Sequence, residues 1–558
     1  MGSKEITAGV TKTERLILFL LFGAALALRI LFALHLRVDS DEPQHLHMVW
    51  AWTAGLFPYR DTFDNHMPVF HALCAPLFHF LGVRPDILIP MRLAVIPLTA
   101  VTIWCVWRIA SSILSHRTAL WTTLLATLFP PFFISSVEFR TDQLWATAWL
   151  VLLTTLVTGR ATTMRAFVAG LLLGLAFSVS LKTSLLAVSL GLACIGVLLV
   201  DQFSGQPISW LRLLKCLGAT LAGMVVVPTI VILFFVNLHA GKQMWFCLIT
   251  YNVLIESVSH PPSLLSSMMR WIALLPVEIV GAWLIWKWHK GAHSRLNLVF
   301  LTGALSYTTL LAFWPLREGQ TFLPIFPVLA ISVAPALLWL GAFISRWIRW
   351  ISVPVLIVIA EIAFICVRQP PFIDKTINDT QMIRDVLKLT DANDYVMDSK
   401  GETIYRRRPY YYIVDKLTKG MIDRGLVRDD IPQRVIETRT PVITTEPRTS
   451  KQDIAFMENN YLSIGSRLGV LGKIIRPRDA SENQVTRFEV TVPNRYLLVS
   501  ESGQINGVLD DTPLNGPREL AVGDHVFHST TTNTGTIALV WAQAIDRGYS
   551  PFSALRAH

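Results

Sequence analysis

Three acids, Asp39, Asp41 and Glu42, follow a long apolar run near the start of the chain, where charges are otherwise sparse. Glu138, Arg140 and Asp142 come next, then Lys182 and Arg317, each near the end of a further apolar run. A carboxylate can take a proton, while arginine presents a planar fork and lysine a point charge to an anion. His35, His45, His47, His66, His71 and His79 add six of the fourteen histidines in the first loop and its flanks. Asp41 and His45 stand four apart, so on a helix they share a face that could hold a divalent metal; His45 and His47 cannot share one.

The elements that must position these groups follow from composition. Of 558 residues, 52% are hydrophobic and 16% charged, against about a quarter charged in soluble domains. Residues 368–558 hold 25 Lys/Arg and 24 Asp/Glu, and residues 1–367 hold 24 and 15. A membrane part precedes a water-soluble part. The net charge of +10 belongs to the membrane part and points away from nucleic acid. All six cysteines precede residue 368, so no disulfide staples the soluble part. A helix needs about 20 apolar residues to cross a bilayer. Eleven spans are expected, at 16–36, 88–107, 118–136, 143–159, 166–181, 184–200, 216–238, 270–286, 296–315, 321–343 and 351–367, with the 166–200 run split around Lys182. With the N-terminus inside, fourteen Lys/Arg flank spans on the inner side and nine on the outer, as the positive-inside rule requires. Residues 368–558 then lie outside the cytoplasm, and most acids of the membrane part gather on the same outer face. Arg29 falls inside the first span, where a charge is costly; Glu361 or Glu278 is its expected partner.

The first outer loop, 37–87, places Pro43 in the first turn of a helix that an acid caps. HLHMVWAWTAGL then reads as a Trp-rich interfacial helix, and 68–82 as a second surface segment. The order of span, Asp-Glu, interfacial helix, LFPYRDTFDNHMPVFH and then RL before the next span resembles the polyprenyl-phosphate-sugar-dependent glycosyltransferases of the GT-C fold. These are glycosyltransferase family 39-like proteins, including protein O-mannosyltransferases and aminoarabinose transferases acting on lipid A. VEFRTDQLWATAWL (137–150), GLLLGLAFSVSLKTS (170–184) and REGQTFLPIFPVLAISVAP (317–335) fall in family-like places, and the resemblance covers 16–340. The chain departs from the family at His45 and His47, where a tyrosine often follows Asp-Glu, and lacks a glycine that often follows the lysine.

The resemblance implies inverting transfer of a sugar from a polyprenyl-phosphate donor to an acceptor hydroxyl. Such a reaction needs one base and positive charge around the departing phosphate. Asp41 is the expected base, with Asp39 its competitor and Glu42 an orienting neighbour. Arg317 and Lys182, with His66 and Arg140, are the candidates for the donor phosphate. Asp39, Glu138, Asp142 and His45 are acceptor or secondary candidates. No cofactor is required on this reading, and Asp41 with His45 would hold a divalent metal if one takes part. The partners implied are the lipid-linked donor, an acceptor glycan, lipid or protein, and membrane lipids. The other functional class is a transporter or flippase of a lipid-linked or anionic solute; it would place charges mid-bilayer, within internal repeats.

The fold expected is a polytopic α-helical GT-C-like protein of the plasma (inner) membrane, 1–367, with an extracytoplasmic soluble domain, 368–558. That domain reads as mixed α/β over 368–483, with a helix at 378–389 and a strand-like TIYRRRPYYYIV segment, followed by a β-sandwich over 484–558. Arg406, Arg407 and Arg408 form either an anion grip or a solvated edge.

Overall fold

A computed structural model describes residues 10–205, 209–258, 276, 279–287, 294–344, 352–445, 449–475, 485–501, 505–530 and 536–552. The chain divides into two compact units, residues 1–45, 65–76 and 88–375, and residues 46–64, 77–87 and 376–558. This division differs from a cut at 367/368, because two stretches of the first loop belong with the C-terminal residues. Within the second unit, Tyr411 Oη donates to the Tyr59 carbonyl at 2.6 Å. The Phe63 ring lies 5.7 and 5.3 Å from those of Tyr411 and Tyr412, and Tyr405 Oη donates to the Arg84 carbonyl at 3.0 Å.

The first unit is helical: α1 Lys12–His35, α2 Glu42–Thr53 (continuing into the second unit), α3 Val69–Leu81 (also shared), α4 Leu88–Ile113, α5 His116–Leu128, α6 Pro130–Ser135, α7 Thr141–Val157, α8 Thr163–Val179, α9 Thr183–Phe203, α10 Trp210–Asn237, α11 Ser294–Phe313, α12 Phe326–Ile344 and α13 Val353–Arg368. Six of these, α1, α4, α9, α10, α11 and α12, are long and apolar enough to cross a membrane. α2 and α3 are the two helices expected in the first loop. Of the span expected at 270–286, residues 276 and 279–286 are described, and they are helical.

Three sequence features set the helix breaks that matter for the site. α8 ends at Val179 and α9 begins at Thr183, with Ser180 extended at φ −151°; Lys182 sits in that gap. The span expected over 118–136 is broken instead into α5 and α6, because Pro130 disfavours helical geometry at Phe129, which has ψ 116°. Pro130 and Pro131 also lack N–H groups, so the carbonyls of Ala126 and Thr127 have no helical donor. Arg29 supplies one of the missing bonds: Nη2 donates to the Thr127 carbonyl at 2.6 Å and Nη1 to Ser136 Oγ at 2.5 Å. Its guanidinium lies 4.5 Å from the centre of the Phe133 ring. The expected pairing with Glu361 is thus replaced by a carbonyl, a hydroxyl and an aromatic face; Glu278 lies outside the described residues.

α8 and α10 cross closely, on glycines. A Cβ at Gly170 would stand 2.1 Å from the Thr220 carbonyl oxygen, and one at Gly174 2.3 Å from that of Met224. On α10, Leu217, Leu221, Val225 and Leu233 are exposed.

The second unit contains two sheets. A seven-stranded sheet runs β1 (Val396–Met397), β2 (Val442–Thr444), β4 (Leu468–Ile475), β11 (Ile537–Trp541), β6 (Asn494–Ser500), β9 (Arg518–Leu520), with β3 (Tyr461–Gly465) also on β4. A four-stranded sheet runs β5 (Val485–Val490), β10 (Gly523–Ser529), β7 (Gly507–Leu509), β8 (Thr512–Pro513). The C-terminal stretch therefore does not close as a sandwich of its own: β6, β9 and β11 extend the sheet begun at Val396. The helix expected at 378–389 is present as α14, Ile377–Leu389. Residues 403–414 are not a strand beyond one bridge, Tyr395 to Arg407. Pro409 removes a ladder donor, and two of the three arginines turn inward. Arg406 donates to Thr390 Oγ1 and its carbonyl at 2.8 and 2.9 Å, and Arg408 Nε pairs with buried Asp398 at 2.9 Å. Of the three, Arg407 is the exposed one.

Gly174→Val should force the α8–α10 crossing apart and cost about 1–3 kcal/mol. Gly218→Val, in α10 with nothing within 4 Å of its Cβ, should leave the thermal midpoint in detergent unchanged. Equal midpoints for the two variants would show that the crossing is not tight.

Candidate active site

The site grows from the turn between α1 and α2. Asp39 caps α2: its Oδ1 accepts from the Asp41 N–H at 3.1 Å, and its carbonyl accepts from the Glu42 N–H at 3.2 Å. The cap falls to Asp39, and the Asp41 carboxylate is directed to a cation. Glu42, the first residue of α2, has no exposed side-chain surface. Its Oε2 accepts from Arg92 Nη2 at 2.5 Å and its Oε1 from Arg92 Nε at 2.7 Å. Glu42 also accepts from the Phe139 N–H at 2.7 Å and the Asp39 N–H at 2.9 Å. Arg92, equally buried in α4, donates onward to the carbonyls of Leu36 and Arg37 at 2.7 and 2.8 Å. One buried ion pair therefore fixes the end of α1, the start of α2, and the segment leading to Arg140. Removing one partner of such a pair costs about 3–5 kcal/mol, because a charge is left buried alone.

Arg140 stands just before α7. Its Nη1 meets Asp39 Oδ1 at 2.5 Å, its Nη2 meets Asp41 Oδ2 at 2.8 Å, and its Nε meets Asp142 Oδ2 at 3.4 Å. Asp142 Oδ1 in turn accepts from Lys182 Nζ at 2.8 Å. Lys182, from the α8–α9 gap, lies 5.0 Å from the Trp145 ring centre and 5.9 Å from that of Trp314. Trp314 belongs to the connection between α11 and α12, the same connection that carries Arg317 and Glu318. Asp39, Asp41, Arg140, Asp142 and Lys182 thus form one continuous charged network. Asp41 is 22% exposed, and Asp39, Asp142 and Arg140 are 19%, 5% and 6% exposed.

Glu138 is buried beside this network. Burial, reinforced by the negative charge of Asp39, pushes its carboxyl up to about 8 against the opposing pull of Arg140. The histidines form a second cluster: His45 Nδ1 and His71 Nε2 are 3.0 Å apart, and the His66 ring centre is 4.7 Å from that of His45. Burial holds His45 well below the usual imidazole range; positive charge on His66 or His71 would lower it further, and Asp41 opposes the shift. One of the two bonded nitrogens therefore donates to the other's lone pair. His45 meets imidazoles, and among the described residues no three His, Cys, Asp or Glu side chains are arranged to hold a metal.

Sequence reasoning named most of this network residue by residue, but gave no role to Arg92 or His71. The signal for Arg92 was a lone charge within an apolar run, which must find a partner.

The family model for dolichyl-phosphate-mannose-protein mannosyltransferase matches residues 66–232. That stretch includes His66, Arg92, Arg140, Asp142 and Lys182, and begins after Asp41. No curated protein matches in sequence. Among solved structures, the chain is similar to ArnT from Cupriavidus metallidurans bound to undecaprenyl phosphate, at 14% identity over 83% of this chain and 98% of that one, with a TM-score of 0.59. The apo form of the same protein gives 14% identity, 81% and 97% coverage, and a TM-score of 0.56. At this identity the likeness is one of fold.

The Glu138 shift has a sign that can be tested. Between the ordinary value of 4.5 and about 8, the folded chain binds a proton that the unfolded chain does not, so stability falls as pH rises through that window. Glu138→Gln should remove this slope. Thermal midpoints recorded from pH 5 to pH 9 that fall equally in both proteins would refute the shift.

Proposed function

We propose that this chain, a membrane glycosyltransferase of the GT-C fold, moves a sugar from a polyprenyl-phosphate-linked donor to an acceptor hydroxyl, with Asp41 as base. The observation that carries the reading is the Asp41 carboxylate, partly exposed and within 2.8 Å of Arg140, in one network with Lys182. Support for the donor comes from the mannosyltransferase family match and from a structural relative bound to undecaprenyl phosphate.

The acceptor O–H would give its proton to Asp41 as its oxygen bonds to the anomeric carbon. The bond from that carbon to the phosphate oxygen breaks on the opposite face, inverting the configuration, and its electron pair leaves with the polyprenyl phosphate. Arg140, Lys182, Arg317 and His66 supply positive charge or N–H donors for that leaving group. Asp39 and Asp142 hold Arg140 and Lys182 in place, Glu138 adds a buried proton, and Glu42 acts on position through Arg92. His45 borders the acceptor side.

The reaction is assigned to the extracytoplasmic face of the plasma membrane, the side on which residues 368–558 would also lie. The positive-inside count supports this orientation.

Purified Asp41→Asn protein, supplied with radiolabelled polyprenyl-phosphate sugar, should lose about 10²–10⁴-fold in transfer rate and retain donor binding. Undiminished turnover would remove Asp41 from the role, and solute uptake into sealed vesicles without covalent product would favour a transporter. Turnover should survive EDTA; a loss restored by one divalent ion would bring a metal into the site. A reporter active only outside the cytoplasm, fused after His558, should be active, and a stable but silent fusion would reverse the assigned side.

A further inference from the structure

We infer that the open edge of β6 takes up an extended, uncharged polypeptide segment as an added strand. The inference is independent of the transferase reading and concerns the second unit alone.

β6 has a neighbour on each side, and the two cover different lengths of it. β11 pairs with Tyr496–Ser500, whereas β9 pairs with Asn494, Arg495 and Tyr496 and goes no further. Continued backward in the same register, the β9 chain would set Gly516 opposite Leu498. Gly516 instead takes φ +96°, which a glycine adopts readily, and Pro517 fixes the next φ, so the chain leaves the sheet. Backbone groups along an antiparallel strand face alternate sides. Glu501 donates its N–H to the Thr536 carbonyl at 3.0 Å, on the β11 side. Val499 and Leu497 therefore face β11 as well, and Leu498 faces the side that β9 does not reach. Among the described residues no backbone bond closes on the Leu498 N–H or carbonyl from that side, although Leu498 is only 3% exposed. A nearly buried N–H and C=O left unpaired cost as much as a lost hydrogen bond.

The space beyond Leu498 is a cleft of about 640 Å³, within the range of ligand sites. Four consecutive residues, Leu497–Ser500, line it. A strand does this along its edge, whereas across a face the lining residues alternate. Leu514, Ile545 and Phe552 supply apolar wall, and Asn506 and Asn515 supply amides. No described charged side chain lines the cleft, although residues 368–558 hold 25 Lys/Arg and 24 Asp/Glu. An extended peptide meets all of these demands. One of its residues, set opposite Leu498, exchanges both N–H···O=C bonds with it. Its successive side chains turn to opposite sides, apolar ones toward the wall and neutral polar ones toward the amides. A charged side chain would lose its water there with no ion to replace it. A sugar offers hydroxyls but no N–H and C=O at strand spacing.

The test uses the full chain in detergent and a displayed library of random octapeptides. Selection should enrich uncharged sequences with apolar residues at alternate positions, and the best of these is then synthesised as the probe. Site-resolved hydrogen exchange gives the readout. In the chain alone the Leu498 N–H should exchange faster than those of Leu497 and Val499, and saturating probe should slow it about tenfold or more. Of two probes N-methylated at every second residue, in opposite phase, the one that loses the bonds to Leu498 should no longer bind. Asn515→Lys, at an exposed position, sets a charge in the cleft and should weaken binding about tenfold with the thermal midpoint unchanged. A Leu498 N–H already protected before peptide is added would show the edge covered by the chain itself and overturns the inference. A selection that enriches no peptide overturns it too, as does bound probe that leaves Leu498 exchange unchanged.

Discussion

The buried pair between Glu42 and Arg92 is the constraint on which the site depends. Neither side chain has exposed surface, so each charge must be neutralised within the protein or the region does not fold. The Arg92 guanidinium donates to both carboxylate oxygens and to two carbonyls at the end of α1, and the carboxylate also accepts from the N–H groups of Asp39 and Phe139. Because those N–H groups belong to the segments that carry Asp41 and Arg140, satisfying the buried charge also sets the backbone beneath the reactive groups.

Three arginines of the first unit show the same requirement met in three ways. Arg29 is satisfied by a carbonyl, a hydroxyl and an aromatic face. Arg92 takes one carboxylate and two carbonyls. Arg140 takes three carboxylates. Two are locked structural members. The third shares its carboxylates with other cations, Asp142 with Lys182 and Asp39 with Arg37, and so belongs to a network.

Much of this was legible from residue types and spacing. Apolar runs marked the helices, because a bilayer-length segment tolerates few charges, and the break at Lys182 followed from a lysine flanked by serines inside an apolar stretch. Asp39, Asp41, Arg140, Asp142 and Lys182 stood out because charges near span ends are sparse. Which of them bond to one another was not legible: it depends on three separate segments meeting, and sequence spacing says nothing across them. The same blindness assigned Arg29 to an acid when the nearer need was an orphan carbonyl. It also made a strand of residues 403–414, where Arg406 and Arg408 turn inward to Thr390 and Asp398.

The paired prolines at 130 and 131 link two positions a hundred residues apart. They strip α5 of the amide hydrogens that would close its last turn, and the Arg29 guanidinium takes over one of the bonds they leave open. Arginine and prolines therefore form a single structural unit. An ordinary residue at 131 alone would not return a helical donor to the Thr127 carbonyl, because Pro130 still holds Phe129 out of helical geometry, so the charge within the first span keeps its task as long as Pro130 stands.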